Sequence, residues 1–209
     1  LGVGMRHIDA YERSKYSTPI MACDCDSAKL NELLIKHPEV KITKHPEILI
    51  SDSEIDIISI ASFDKYHFEQ IMLAIENDKH VFVEKPICIS TEELNGIEEA
   101  LDAKPHICFS SNLILRKAER FIKLRENIKI GKLGKIYYIE GDYDYGRFNK
   151  LIDGWRGTQK DYSVMLGGGI HLVDLICWLH GYQVDQVTAI GTKICSSSTK
   201  FKGYDTVLA

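Results

Sequence analysis

Short runs of β-branched residues alternate with amphipathic stretches over the first half of the chain. Apolar residues recur at helical spacing between these runs, and Asp26/Ser27 and Ser90/Thr91 are candidate N-caps. The predicted strands are residues 19–23, 55–61, 80–84 and 106–110, and the predicted helices are residues 6–13, 27–36, 66–77 and 91–103. This alternation is typical of a doubly wound parallel sheet covered by helices, an α/β fold.

The pattern changes in the second half of the chain. A helix at 118–127 is followed by Gly131 and Gly134, which turn the chain into a predicted strand rich in Tyr and Ile. Further along, the pattern predicts a polar loop at 153–163, a helix at 169–179 and strands at 135–145, 187–192 and 204–209. We therefore predict two domains, residues 1–111 and residues 112–209.

Both ends of the sequence indicate a partial chain. Gly2-x-Gly4 has the form of a phosphate-binding turn, but the strand that should feed this turn is absent, and the pattern of 204–209 stops without a turn. We expect the first strand of the parallel sheet and the C-terminal part of the second domain to be missing. An alternative is that the chain as given does not fold, because the gap would lie in the middle of the sheet.

Composition and charge narrow the class of partner. With 44% hydrophobic and 27% charged residues the chain is typical of a globular protein. A net charge of -4 and a pI near 6.1 argue against nucleic acid and anionic membranes, so we expect a small-molecule ligand. No long apolar run or signal peptide is recognisable, which predicts a cytoplasmic protein whose six cysteines are reduced packing residues. No Cys/His cluster with the spacing of metal ligands appears beyond Cys23 and Cys25, so we expect no metal site.

The start of the chain carries a candidate dinucleotide site. Gly2 and Gly4 supply two of the three glycines of the dinucleotide fingerprint, and His7 replaces the third. Asp24, about 20 residues downstream, is placed to accept hydrogen bonds from the adenosine ribose, which favours NAD over NADP. The alternative is that Asp24 only caps the following helix. The predicted cofactor contacts in this region are Gly2, Gly4, Met5, Arg6, Asp24 and Cys25.

The tripeptide Glu84-Lys85-Pro86 follows a predicted strand at its carboxyl end, where open α/β sheets bind their ligands. The proline restricts the backbone of Lys85, and an X-Pro bond can be cis, so the turn can aim the ammonium group into a cleft. A solvated loop lysine is the alternative interpretation of this residue.

Three strings in this sequence resemble a known family. SFDKYH (62–67), KHVFVEKP (79–86) and GGGIHLVD (167–174) occur in the order found in the Gfo/Idh/MocA family of glucose-fructose oxidoreductases, inositol dehydrogenases and rhizopine-catabolism proteins. The resemblance implies a Rossmann domain followed by an α+β domain with an open, mostly antiparallel sheet. It also implies an oxidoreductase that holds a sugar, sugar derivative or cyclitol against the nicotinamide between the two domains.

The resemblance assigns roles to individual residues. Lys85 matches the family's catalytic lysine, which would stabilise charge on the substrate oxygen, and His171 matches the catalytic histidine, which would exchange the hydroxyl proton. Asp174 would contact substrate or support the histidine. Further cofactor contacts are implied at Ser62, Phe63, His67, Glu84, Lys85 and Asn112, and substrate contacts at Lys85, Arg116, Trp155, Arg156, His171 and Asp174.

The sequence departs from the family at two positions. Many members have an aspartate four residues before the histidine, where this chain has Gly167; Asp174 or a tyrosine is an alternative acid partner. Phe63 stands where relatives often have proline, and its ring either packs near the nicotinamide or fills core. A dinucleotide-binding sensor without catalytic activity is therefore the alternative function, and relatives also imply a homo-oligomer formed through the second-domain sheet.

Overall fold

The chain divides into two units, Leu1–Asn112 and Leu113–Ala209, and short strands of three or four residues build the first of them. The computed structural model describes residues 2–159, 162–181 and 184–209. The strands of the first unit are β1 (Met21–Cys23), β2 (Lys41–Thr43), β3 (Ile57–Ile60), β4 (His80–Val83) and β5 (Phe109–Ser111). All their pairings are parallel, which confirms the predicted sheet type.

The five strands form two hydrogen-bonded groups. One contains β1 and β2, the other has the order β3-β4-β5, and no pairing joins the two groups within the described part of the chain. Each group has its own apolar cluster. Ile58, Ile60, Val81 and Val83 belong to the larger cluster, and Ala22 belongs to the smaller one.

The helices of the first unit cover these strands with regularly spaced apolar residues. In α4 (His67–Glu76), Ile71, Ala74 and Ile75 lie on one buried face together with His67. Asp26 caps the helix that follows β1, and Ser90 caps the helix that follows the Lys85 turn. The helices are α1 (Gly2–Arg13), α2 (Ser27–Lys36), α3 (Pro46–Ser51), α4 (His67–Glu76) and α5 (Thr91–Ala103).

The second unit is mainly helical, with one antiparallel pair of strands. A π-helical segment, Met165–Gly169, leads directly into the longest apolar helix of this unit. Its helices are α6 (Glu119–Lys129), α7 (Phe148–Ile152), α8 (Trp155–Thr158) and α9 (Ile170–His180), and its strands are β6 (Ile190–Thr192) and β7 (Thr206–Leu208). No helix in the described ranges is long and apolar enough to cross a membrane.

Several sequence predictions of secondary structure are wrong. The stretch 135–145 is not a strand: no described strand pairs with it, and Tyr137 is 94% exposed, so its β-prone residues lack the partner that a strand requires. The sequence pattern also missed β2, α3, α7 and α8, which are all six residues or shorter. The first helix begins at Gly2 instead of residue 6.

Candidate active site

Lys85 lies in a turn directly after β4, at the carboxyl end of a central parallel strand. The backbone N–H of Glu84 donates to Ile60 O (2.8 Å), and that of Asn112 donates to Val83 O (2.9 Å), so the neighbouring strands extend to the turn itself. The Lys85–Pro86 peptide bond is cis. The turn thus has a defined backbone path at the edge of the sheet where open α/β folds bind ligands.

The imidazole of His67 lies against the backbone of this turn. Its side chain has no exposed surface, with Nδ1 2.6 Å from Pro86 O and Nε2 3.2 Å from Ser62 O. Carbonyl oxygens only accept hydrogen bonds, and the shorter contact places a donated proton on Nδ1. A ring without exposed surface does not contact a cofactor, so the predicted direct contact of His67 is corrected to a supporting one.

The carboxylate of Glu84 is the centre of a polar network. Asn112 Nδ2 donates to Glu84 Oε1 at 2.6 Å, and His7 Nε2 lies 3.1 Å from the same oxygen. His7 Nδ1 is 2.8 Å from Ser59 Oγ. Burial raises the pKa of Glu84, but the hydrogen bonds from His7 and Asn112 outweigh it and hold the pKa below its ordinary value.

This network gives a reason for the missing third glycine of the fingerprint. The imidazole of His7 reaches from α1 to the end of β3 and to the residue after β4, a connection that a glycine could not make. Glu84 and Asn112, both predicted to contact the cofactor, hold each other in place at the edge of the sheet.

The two fingerprint glycines lie in the first turn of α1, so the prediction of a separate turn at Gly2-x-Gly4 is wrong for the described residues. The first turn of this helix has no acidic residue, and its unpaired N–H groups suit an anionic phosphate. A cavity of about 310 Å³ opens beside it. The cavity is lined by Gly2, Met5, Arg6, Lys29, Glu32 and Lys36. The donor set therefore fits the pyrophosphate of a dinucleotide.

Asp24 comes directly after β1, and its Oδ1 accepts from the N–H of Asp26 (2.9 Å). The cap of α2 is Asp26, whose carboxylate accepts from the N–H of Ala28. The alternative in which Asp24 caps this helix is therefore wrong. Cys25 is exposed in the same loop.

The loop after β3 carries the remaining predicted contacts of the first unit. The Ser62 hydroxyl donates to Gln70 Oε1 (2.8 Å), which fixes the start of the loop. Phe63 is 44% exposed, so its ring does not fill the core.

In the second unit, His171 lies in the first turn of α9 and is 8% exposed. Its ring centroid is 6.4 Å from that of Tyr143. The three glycines before it admit neighbouring side chains against the backbone. A Cβ on Gly168 would lie 2.9 Å from Tyr143 Cε1, and a Cβ on Gly167 would collide with the hydroxyl oxygen of Tyr162.

Asp174 forms a two-pronged ion pair with Arg116. Arg116 Nε donates to both carboxylate oxygens, at 2.8 and 3.1 Å, and a terminal nitrogen of the guanidinium donates to Asp174 Oδ1. The hydrogen bonds that Arg116 donates to Asp174 raise the pKa of Arg116. The structure thus brings these two predicted substrate contacts together and ties α9 to the segment before α6.

Trp155 and Arg156 are neighbours in the short helix α8. The Arg156 guanidinium lies over the Trp155 ring at 4.7 Å, and its Nε donates to Tyr162 Oη at 3.1 Å. Sequence reasoning missed Tyr162. The available signal was the glycine at 167, because a position without a side chain in a packed region has to be filled by a neighbour.

The described His, Cys, Asp and Glu residues form no group of three or more that could hold a metal ion. No disulfide joins the six cysteines, and Cys25, Cys108 and Cys195 are exposed, so these three are not the packing residues that the sequence suggested.

Comparison with known proteins gives two family matches. Residues 2–111 match the model of an oxidoreductase family with an NAD-binding Rossmann fold, and residues 121–208 match the GFO/IDH/MocA C-terminal domain. Together the two matches cover most of the chain.

Individual relatives are distant. An inositol 2-dehydrogenase of Salmonella paratyphi B is 21% identical over 185 residues, which is 86% of this chain and 53% of the relative. A D-xylose 1-dehydrogenase (NADP(+)) of Hypocrea jecorina is 27% identical over 170 residues, covering 75% of this chain and 42% of the relative. The chain thus spans about half the length of the curated relatives it matches.

A solved structure shares the fold. The scyllo-inositol dehydrogenase of Lactobacillus casei, crystallised with NAD(H) and scyllo-inositol, is 21% identical with a TM-score of 0.83. The match covers 98% of this chain and 61% of that protein. The predicted fold class, a Rossmann sheet followed by a unit with an antiparallel sheet, is confirmed.

Proposed function

The chain belongs to the Gfo/Idh/MocA family of oxidoreductases, and on this basis we propose that the full protein transfers a hydride between a nicotinamide dinucleotide and an alcohol carbon of a sugar, sugar derivative or cyclitol. The observation that carries the proposal is the placement of Lys85. Its turn lies at the carboxyl end of β4, and buried His67 fixes the backbone behind it. Such a turn can hold one ammonium group in a constant position toward a ligand.

Lys85 and His171 have different proposed roles at the substrate oxygen. When bound, the dinucleotide supplies a nicotinamide ring as the hydride acceptor or donor. The Lys85 ammonium donates a hydrogen bond to the substrate oxygen and stabilises negative charge there. His171 takes the hydroxyl proton when the alcohol is oxidised and returns it in the reverse direction. We assign Asp174 a supporting role, because Arg116 occupies both of its carboxylate oxygens.

We propose NAD as the preferred cofactor. Asp24 follows β1 in the place where a carboxylate would accept hydrogen bonds from the ribose hydroxyls, and Asp26 adds a second negative charge nearby. A 2′-phosphate would be repelled by these two carboxylates. Asp24→Ala should narrow the gap between the KM values for NAD and NADP, which steady-state kinetics with both cofactors would measure.

The proposal also includes a cytoplasmic location and assembly into a homo-oligomer through the β6–β7 pair. Supporting the assembly, the cross-strand partners Ile190 and Leu208 both expose most of their apolar side chains. Light scattering of the full-length protein, with Ile190→Lys as a variant, would test this part.

The decisive experiment measures NADH formation by the full-length protein with inositols, sugars and sugar acids. We expect turnover with at least one substrate, and Lys85→Ala should lower kcat by at least about 100-fold while NAD binding is retained. Lys41→Ala, which removes an exposed lysine of the same unit, is the matched control.

The outcomes separate the alternatives. Intact turnover by Lys85→Ala would mean that the catalytic centre is misplaced. NAD binding without turnover on any substrate would favour a dinucleotide sensor, as the glycine at 167 in place of the family's acid suggests.

A further inference from the structure

The hydroxyl group of Tyr162 occupies the space that a side chain at position 167 would fill. A Cβ built on Gly167 would collide with Tyr162 Oη, and Tyr162 Cε2 would lie only 3.1 Å from it. Gly167 precedes His171 by four residues, which is one turn of this helical segment, so side chains at the two positions share a face. The Tyr162 hydroxyl therefore lies on the face of the helix that carries His171.

Aromatic contacts fix the ring that carries this hydroxyl. Tyr162 packs edge-to-face against Trp155, with centroids 5.8 Å apart, and against Phe201, with centroids 6.2 Å apart. Phe201 is fully buried, so the ring is anchored in the core of the second unit. A phenol held in this way loses little entropy when its oxygen engages a ligand.

The contact with Arg156 sets the direction in which the Tyr162 hydroxyl forms hydrogen bonds. A guanidinium can only donate, so the hydrogen bond from Arg156 Nε (3.1 Å) uses Tyr162 Oη as an acceptor. The phenol hydrogen is then oriented away from Arg156. In this arrangement Tyr162 acts as a hydrogen-bond donor, and the nearby positive charge polarises its O–H bond.

We infer that Tyr162 is a further catalytic residue, whose hydroxyl donates a hydrogen bond to the substrate oxygen from which His171 removes the proton. The inference rests on the proposed function. In the oxidation direction, the C–H hydrogen leaves with its electron pair to the nicotinamide, the O–H proton passes to His171, and a carbonyl group forms. Tyr162 keeps its own proton throughout and stabilises negative charge on the oxygen as the hydride leaves.

This assignment also accounts for the glycine at 167. A side chain there would displace the phenol oxygen, so an acid at 167 and a hydroxyl from Tyr162 are mutually exclusive in this packing. Where many family members have the carboxylate of an aspartate, this chain has the neutral hydroxyl of Tyr162, with the Arg156 guanidinium beside it.

The test is the Tyr162→Phe variant of the full-length protein, which removes only the hydroxyl and keeps the ring contacts with Trp155 and Phe201. We expect kcat for the best inositol or sugar substrate to fall about 100-fold, as when one donor to a developing oxyanion is lost. The Kd for NAD should stay unchanged, and the midpoint of thermal unfolding should fall only by the loss of the hydrogen bond from Arg156.

Tyr137→Phe is the matched control, because this tyrosine of the same unit is 94% exposed and has no part in the proposed site. It should retain kcat within about threefold, as expected of a surface substitution. A Tyr162→Phe variant as active as wild type, or one no worse than Tyr137→Phe, would overturn the inference alone. A wild-type protein without turnover on the whole substrate panel would overturn the proposed function and the inference with it.

Discussion

The regions around Lys85 and His171 hold their proposed catalytic side chains by different means. Around Lys85 the contacts are made to backbone: strand neighbours bind the turn, and His67 lies against the carbonyl of Pro86. Around His171 the contacts are made by side chains, with Tyr143 and Tyr162 packed against glycine backbone. The first arrangement is tied to fold topology, whereas the second depends on which side chains fill the space left by the glycines.

Removing the buried imidazole of His67 should have the largest effect on stability. His67→Leu leaves Pro86 O without its donor and removes the contact of Nε2 with Ser62 O, which should lower the free energy of unfolding by about 3 kcal/mol. His67→Asn, whose amide nitrogen reaches the place of Nδ1, should recover part of the loss. Urea denaturation measures both, and the exposed His45→Leu is the control. Equal losses in His67→Leu and His45→Leu would contradict the supporting role.

Filling the space at Gly167 tests the packing around His171 directly. Gly167→Ala places a methyl group against the Tyr162 hydroxyl and should cost about 2 kcal/mol, as overpacking does. Gly146→Ala is the matched control, because a Cβ there meets nothing within 4 Å. If the two alanine variants unfold at the same urea concentration, the packing of Tyr162 against the helix is not as described.

The ion pair between Arg116 and Asp174 should contribute less to the free energy of unfolding, since Arg116 is 44% exposed and partly screened by solvent. Asp174→Asn keeps the shape of the side chain but removes its charge, and should lower stability by about 1 kcal/mol. The exposed pair Glu32–Lys36 provides a control, as Glu32→Gln should change the unfolding midpoint very little. A larger loss in Glu32→Gln than in Asp174→Asn would reverse this ranking.

The smallest effect concerns Glu84 and depends on pH. Because the pKa of Glu84 is lower in the folded protein than its ordinary value of 4.5, its ionised form stabilises the fold above that value. This stabilisation disappears as the pH falls through the lower, folded pKa. Glu84→Gln should therefore be less stable than wild type at pH 7, by up to about 1 kcal/mol, and the difference should shrink toward pH 3. A difference that is constant from pH 7 to pH 3, measured by thermal unfolding, would contradict the network around Glu84.

The sequence predicted the region around Lys85 better than the region around His171 for a physical reason. Strand periodicity places Glu84-Lys85-Pro86 at the end of β4, and parallel topology places such an end at the ligand edge of the sheet. The caps at Asp26 and Ser90 follow from local residue preferences and are confirmed. These features depend on residues that are neighbours in sequence.

The features that the sequence did not predict depend on contacts between distant residues. His7 was recognised as a departure from the fingerprint, but its contacts with Ser59 and Glu84 appear only in three dimensions. The pairing of Arg116 with Asp174 spans 58 residues, and the strand predicted at 135–145 failed because its propensity found no partner. Local pattern carries no information about such partners.

The support of the Lys85 turn by His67 also bears on the order of folding. The contact between His67 and Pro86 joins residues 19 apart in sequence, whereas that between His7 and Glu84 joins residues 77 apart. Loop-closure entropy makes the longer contact about 1 kcal/mol more costly to form. The backbone that presents Lys85 can therefore assemble from β3, α4 and β4 alone, before the first helix docks.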